Sequence, residues 1–535
     1  MCSITPPFLV APPAGARIRT RLRVDAGDER VLRAVGEYLG RLAGTDLATR
    51  CRLGPGDDQR AERKRALTAA SSSRWAGALT RTCNDQWQRS WRNLHDARAS
   101  LRRTIRAVDR RLAVPVGGRH GRVRGYATRA EHWEKQRRRQ LLAARLAHVE
   151  ARIQQRRVSI VRGGRRLVKT RQHLQDAGLT ERQWRQRWEA ARWFVSADGE
   201  ADKAWGNETI RVHPEAGWLE LKLPAPLVEL ANRPHGRYRL SCLIRFAHRG
   251  DEWAAQAASG AVRYDIIFHP NKRRWYLDAS WRRLSVQSMT VRAAVAGGVV
   301  AVDLNAAHMD CFVVDRHGNP SGPPTTIPLE LDGLPSSTRD GRLRAAIVKV
   351  LDLAGGAGYR TIAVEALDFA DARAVGPETM GRGWRGRRFR RTVAGIPTRR
   401  FRDRLVQMAS SRGLAVVAVD PGWTSVWGGR YWQQPLQRHY PNTRVTRHHA
   451  ASVVLGRRAL GLGARRRLGT LDADRRIGVA SNCRPGRVTG SGRGGHDPPA
   501  TRPGGSIGLR KTGSGDRDRR GAQLAQDRSA SPVSV

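Results

Sequence analysis

Residues 297–320 read GGVVAVDLNAAHMDCFVVDRHGNP, and this stretch decides the fold of the domain around it. Val299 to Val302 form a short apolar run that closes on Asp303. A second run, Met309 to Val314, follows a brief polar interruption and stops at the turn signal DRHGNP. The pattern predicts a hairpin whose first strand ends in a carboxylate. An acid in a buried strand is costly unless a cation or a hydrogen-bond donor compensates it. Asp303 is therefore either a metal ligand or a satisfied structural acid.

A second carboxylate follows the same rule. In TIAVEALDFADAR, residues 361–373, the apolar run Ile362 to Val364 closes on Glu365. Between the two strands, GRLRAAIVKVLDLAGGAGYR sets Leu343, Ile347, Val350, Leu351 and Leu353 at helical spacing, and Gly355, Gly356 and Gly358 end the run. Hairpin, helix, then a strand with an acid at its end is the order of an RNase H-like fold. In such a fold the two acids meet on neighbouring strands and hold divalent metal, which needs oxygen ligands converging from different strand ends.

Four blocks in this order resemble the TnpB family: transposon-encoded, RuvC-type nucleases related to the type V CRISPR effectors. VVAVDLNAAHMDCFVVDRHGNP resembles the first RuvC motif and TIAVEALDFADAR the second. GIPTRRFRDRLVQMASSRGLAVVAVDPGWTSVWG resembles the helix, strand and P-x-x-T-S turn that enter the family's zinc ribbon. TRHHAASVVLGRRALG stands where the third RuvC motif belongs. The resemblance implies an α/β multidomain protein: an RNase H-like (RuvC) nuclease domain, a helical N-terminal region and a small β-barrel-like domain. It implies a transposon-associated, RNA-guided DNA endonuclease using Mg²⁺ or Mn²⁺, with DNA and a guide RNA as partners.

The chain departs from the family twice. VWGGRYWQQPLQRHYPNT, where the zinc ribbon should follow, contains no cysteine, so four thiolates cannot assemble there and no zinc is expected. Trp423, Trp427, Tyr431 and Trp432 are expected to pack as a hydrophobic substitute. At the third motif the family supplies an aspartate, whereas here the helix AASVVLGRRALG is preceded by His449, after His448. A neutral imidazole can ligate a metal or serve as general base. The expected catalytic and metal-ligating set is thus Asp303, Glu365 and His449. The alternative is a lost third acid and a nuclease-impaired, RNA-guided DNA-binding protein, a regulator or decaying transposon remnant. Asp420, at the end of LAVVAVD, is a fallback carboxylate.

Composition points the same way. The chain of 535 residues carries 98 Lys and Arg against 47 Asp and Glu, a net charge of +51. Such an excess repels itself unless a polyanion takes it up, and nucleic acid gains affinity by counterion release. Arg385, Arg387, Arg388, Arg390, Arg391, Arg399, Arg400 and Arg402 crowd the interval after Glu365, where a nucleic-acid strand must enter the site. The six cysteines include no CxxC pair, which fits a reducing compartment. No signal peptide or membrane-spanning run is present in these residues, so a cytoplasmic, nucleoid-associated protein without a membrane partner is expected.

Residues 1–27 read as a flexible N-terminus, and 28–204 as a mainly helical, nucleic-acid-binding region. In the latter, Trp75, Leu79, Trp87, Trp91 and Leu94 read as core, and ATRAEHWEKQRRRQLLAARLAHVEARIQQRR as a helix with a basic face. Alternating segments in 205–290 predict a small antiparallel β domain. Residues 297–465 form the nuclease domain, with a degenerate zinc-ribbon insertion near 421–445. Residues 466–535, rich in Gly, Pro, Arg and Ser, read as a disordered basic tail.

Overall fold

In GARIRTRL, residues 15–22, every second side chain up to Arg19 is apolar or small, and Ala16, Ile18 and Leu22 are turned into a core while the arginines face out. The computed structural model, which describes residues 4–283, 289–366, 378, 384 and 398–465, makes this stretch a strand. Two strands therefore lie within the region expected to be flexible, β1 (Phe8–Leu9) and β2 (Gly15–Leu22). Three helices follow: α1 (Ala26–Leu53), α2 (Arg60–Ala70) and α3 (Ser73–Leu112). Asp25 caps α1 by accepting from the Asp28 amide, and Ser72 caps α3 by accepting from the Trp75 amide. Trp75, Leu79, Trp87 and Leu94 are buried, as core residues should be, and the Trp75 indole donates to the Lys222 carbonyl at 3.0 Å.

A two-residue ribbon, β3 (Arg119–His120) with β4 (Val123–Arg124), interrupts the region expected to be mainly helical. It leads to α4 (Arg129–Gln154), none of whose residues is buried. Two further helices, α5 (Arg165–Thr170) and α6 (Glu181–Arg192), precede β5 (Ser196–Ala197). The strands expected between 205 and 290 form as β6 (Ile210–Val212), β7 (Leu219–Lys222), β8 (Arg237–Arg239), β9 (Arg263–His269) and β10 (Arg274–Arg282), with α7 (Gly250–Ser259) inserted. They do not close into a barrel. One sheet runs β2-β10-β9-β5 and a separate one β6-β7-β8. The free edge of β10, which a barrel would have paired with its own domain, is taken along its whole length by β2, from Trp275 opposite Leu22 to Arg282 opposite Gly15. One apolar core joins both sheets to α1 and α3.

After α8 (Val291–Ala294) comes the six-stranded sheet. It contains β11 (Gly298–Leu304), β12 (His308–Asp315), β13 (Pro320–Pro328), β14 (Thr361–Glu365) and β15 (Ala415–Val419), with α9 (Ser336–Gly356) before β14 and α10 (Thr398–Ser411) before β15. The strand order is β1-β15-β14-β11-β12-β13. Strands β11, β12 and β13 are antiparallel neighbours, β11 and β14 are parallel, and β14 and β15 are parallel. Leaving aside the edge strand β1, this is the RNase H-like order that the hairpin–helix–strand pattern predicts.

The sheet is covered on both faces, which is why its strands read as continuous apolar runs. On one face Val300, Val302, Met309 and Cys311 pack against Leu343, Ile347 and Val350 of α9 and Phe401 and Leu405 of α10. On the other, Val299, Ala301, Phe312 and Val314 pack against the last long helix, α13 (Arg447–Ala459). That helix lies close: a Cβ on Gly456 would meet Val314 Cγ2 at 2.6 Å. Between β15 and α13, helical turns run from α11 (Thr424–Gly428) through a wider turn at Gly429–Gln433 into α12 (Gln434–His439). Trp432 is fully buried there with Leu436 and Val445, and its indole donates to the Ala464 carbonyl at 2.8 Å. Of the aromatics expected to replace a zinc site, Trp432 is the anchor, Trp427 and Tyr431 pack beside it, and Trp423 is exposed.

Candidate functional site

Period-two alternation decides which way the acids point. Val299, Ala301 and therefore Asp303 face α13, as do Phe312, Val314 and Asp310 on β12 and Ala363 and Glu365 on β14. Asp303 and Glu365 lie one residue beyond the last paired couple of the parallel strands, Val302 with Val364. The first turn of α13 sits over them, and its partial positive charge favours carboxylates.

The two expected acids are thus brought together, and their electrostatics record it. The Glu365 carboxyl is pushed up to about 8, first by burial and then by the negative charge of Asp303. The Thr424 hydroxyl, from the P-x-x-T-S turn, donates to Glu365 Oε1 at 3.1 Å and partly offsets that rise. Trp423 before it holds a left-handed backbone with φ 66°, which turns the chain into α11 and sets Thr424 inward. Thr424 is a site residue that sequence reasoning left unassigned.

His449 takes a different place from the one expected. Thr446 is the N-cap of α13; its hydroxyl accepts from the His449 amide, and the Thr446 amide in turn donates to His449 Nδ1 at 3.1 Å. This is a capping box in which histidine does the work usually left to Glu or Gln. Because Nδ1 accepts a backbone N–H, the ring proton belongs on Nε2, which reaches Thr326 Oγ1 at 2.9 Å. Burial holds the imidazole below its ordinary pKa, consistent with a neutral ring. Both nitrogens are committed to the fold, so His449 is not disposed as a ligand beside Asp303.

The neighbouring histidine is the one that touches Asp303. His448 Nδ1 lies 2.7 Å from Asp303 Oδ2, and that hydrogen bond, first among several influences, raises the imidazole above its ordinary pKa. Its side chain is 39 % exposed, so it borders solvent while Asp303 does not. The signal for this swap was present in the sequence. A threonine three residues before His449, ahead of an apolar run, is a capping-box spacing that commits the third helical residue and leaves the second, His448, to face the acids.

The remaining expected residues scatter. Arg402 lines a small crevice with Glu365, Leu304, Val364, Thr398 and Phe401, while Arg399 and Arg400 are exposed on the same helix. Arg385, Arg387, Arg388, Arg390 and Arg391 lie outside the described residues, as does the tail from 466. Asp420 serves the fold: its carboxylate accepts from the Thr5 and Gly422 amides, which hold it below the usual range.

A buried carboxyl beside a second acid, as Glu365 is beside Asp303, fits a hard divalent cation, which relieves the repulsion on binding. Mg²⁺ in particular is held by one or two carboxylates and completes its shell with water and substrate phosphate. Among the described residues no group of three His, Cys, Asp or Glu side chains converges as a closed cage.

No family model matches the chain, and no curated protein matches it in sequence. Among solved structures it is similar to T. thermophilus RuvC in complex with a Holliday junction substrate, at 14% identity over 30% of this chain and 90% of that one, with a TM-score of 0.20. It is also similar to Cas12f1 in a complex with sgRNA and target DNA, at 7% identity over 83% of this chain and 98% of that one, with a TM-score of 0.28. The RNase H-like assignment rests on strand order and on where the acids fall.

Proposed function

We propose that the chain is a RuvC-type, divalent-metal-dependent DNA endonuclease, associated with a transposon and guided by RNA. The observation that carries this reading is the buried pair Asp303 and Glu365, in which burial and then the Asp303 charge push the Glu365 carboxyl up. A fold rarely tolerates such a pair without use, since strongly perturbed carboxyls cluster at functional sites. A bound divalent ion would supply a water of lowered pKa and charge neutralisation at the phosphodiester.

The chain's own residues would do the rest. Asp303 and Glu365 would hold the ion, and Thr424 would fix the orientation of Glu365. His448 would act as a positioning residue on Asp303 Oδ2, leaving Oδ1 for the cation. Arg399, Arg400 and Arg402, with the arginines between 385 and 391, would draw the DNA strand toward the acids. The helical region 28–204 would carry guide RNA beside the β segments of 205–290, and the protein would work in the cytoplasm at the nucleoid. No helix among the described residues is long and apolar enough to cross a membrane.

The test is cleavage by the full chain, purified with its co-purifying RNA and given Mg²⁺ and a plasmid library of targets, beside Asp303→Ala. Cuts lost in the variant support the nuclease. A second reading, guided binding without cutting, is favoured by one observation: the place of the third acid holds His448 and His449, with no carboxylate. Target enrichment without cuts in either protein would select that reading.

A further inference from the structure

A second buried carboxylate lies far from Asp303 in sequence and touches none of its partners. Glu378, in the stretch between β14 and α10, has a fully buried side chain. Its Oε2 accepts from Arg111 Nη1 at 2.9 Å and from the Tyr126 hydroxyl at 2.8 Å. Its Oε1 accepts from Lys135 Nζ at 2.6 Å and Arg138 Nη1 at 3.0 Å. These four donors belong to the helical region: the end of α3, the second residue after β4, and α4. The Arg111 guanidinium is stacked on the Tyr126 ring at 4.0 Å, so the pocket is rigid. Burial alone would raise the Glu378 carboxyl, but the hydrogen bonds from Lys135 and Tyr126 and the surrounding cations outweigh it and hold the group ionised.

The pocket offers more than a carboxylate can use. Arg111, only 6% exposed, keeps Nη2 buried with no acceptor among the described residues. An unsatisfied buried guanidinium N–H costs free energy. A phosphate brings a further acceptor oxygen and is the anion that arginine forks match best.

We propose that Arg111, Tyr126, Lys135 and Arg138 form a binding site for a nucleic-acid phosphate, and that Glu378 is its intramolecular competitor. In the free protein the carboxylate fills the pocket. When an RNA or DNA backbone engages the helical region, a phosphate displaces the Glu378 carboxylate from these donors. The inference rests on the nucleic-acid reading of the chain but not on catalysis.

The test measures affinity of the full chain for a 20-nucleotide single-stranded RNA and a 20-base-pair DNA duplex across a salt series. Glu378→Gln and Glu378→Ala are compared with the wild type and with Glu181→Gln, which removes an equally negative but exposed acid of α6. Freeing the pocket should tighten binding about tenfold beyond the Glu181 control. It should also steepen the dependence of log affinity on log salt by about 0.7 for the single strand or 0.9 for the duplex, one extra phosphate contact. Adding Lys135→Ala should abolish the gain. A gain with RNA alone assigns the phosphate to the guide, and with duplex alone to the target. Equal affinities and slopes for the Glu378 and Glu181 variants, or weaker binding on losing Glu378, would make the contact a structural latch and overturn the proposal. Failure of the wild type to bind either probe would instead overturn the nucleic-acid reading itself.

Discussion

Asp303 and Asp310 stand directly opposite one another on β11 and β12, on the same face and under the same helix, yet their surroundings differ sharply. Asp310 is fully buried and well supplied: Thr326 Oγ1 donates at 2.8 Å, Thr446 Oγ1 at 2.7 Å, and His449 Nε2 lies 3.4 Å away. Asp303 has His448 and a long contact from Asn305 at 3.4 Å, and it faces the acid Glu365. The sequence pattern posed a choice between metal ligand and satisfied structural acid for one residue. The fold contains a well-donated acid, Asp310, and a sparsely donated one, Asp303, a strand apart. Donor count and like charge, rather than depth of burial, separate an acid that holds the fold together from one that the fold holds in reserve.

The sharpest way to break that contrast is Asp310→Ala. It would strand the hydroxyl donors of Thr326 and Thr446 in the core, so urea unfolding should report a loss of about 3 kcal/mol. Asp303→Ala should leave stability within about 1 kcal/mol of the wild type, because it removes a repulsion as well as an ion pair. The same variant should lower cleavage at least about 100-fold, the scale of losing a direct metal ligand rather than its support. Equal destabilisation by the two changes would erase the distinction.

A pH series sharpens it further. The Glu365 carboxyl is raised from 4.5 to about 8, so between those values the metal-free folded state holds a proton that the unfolded chain has released. Stability should therefore fall as pH rises through this window, by up to about 1.4 kcal/mol per pH unit, and be fully retained below it. Glu365→Gln should flatten that slope, whereas divalent-cation affinity should rise with pH because binding displaces the proton. The smallest effect separates the histidines. His449→Ala should cost about 1 kcal/mol as a lost helix cap, and His448→Ala should spare stability while slowing cleavage about tenfold. Circular dichroism melts beside single-turnover cleavage would check both.

The RNase H-like sheet was legible because its strands are covered on both faces. Continuous apolar runs closed by Asp303 and Glu365 can hardly be anything else, and α9 shows its buried stripe at Leu343, Ile347 and Val350. The histidine assignment missed by one residue, because a cap and a site residue are neighbours at a helix start and only the Thr446 spacing tells them apart. The N-terminal strands were missed for another reason. GARIRTRL alternates as a strand should, but its partner β10 lies more than two hundred residues away, and its arginines disguised it as a linker. Two of them, Arg17 and Arg19, neutralise the fully buried Asp278 on β10, a pairing invisible until the strands meet. The expected barrel failed on the same point, since β2 had already taken the edge it needed.

That head segment carries a consequence for how the molecule is made. Phe8 pairs with Ala418 and the Thr5 amide binds the Asp420 carboxylate, while β2, a few residues on, is part of the other sheet. A ribosome adding about 5–20 residues each second releases β1 on the order of tens of seconds before β15 exists to receive it. Of the strands in the six-stranded sheet, β1 is synthesised before its partner β15, and until the two pair the chain carries an unpaired edge on β15. Newly made protein passes through a stage in which both bodies have formed and the stitch between them has not, and a chaperone or a bound polyanion would find it there.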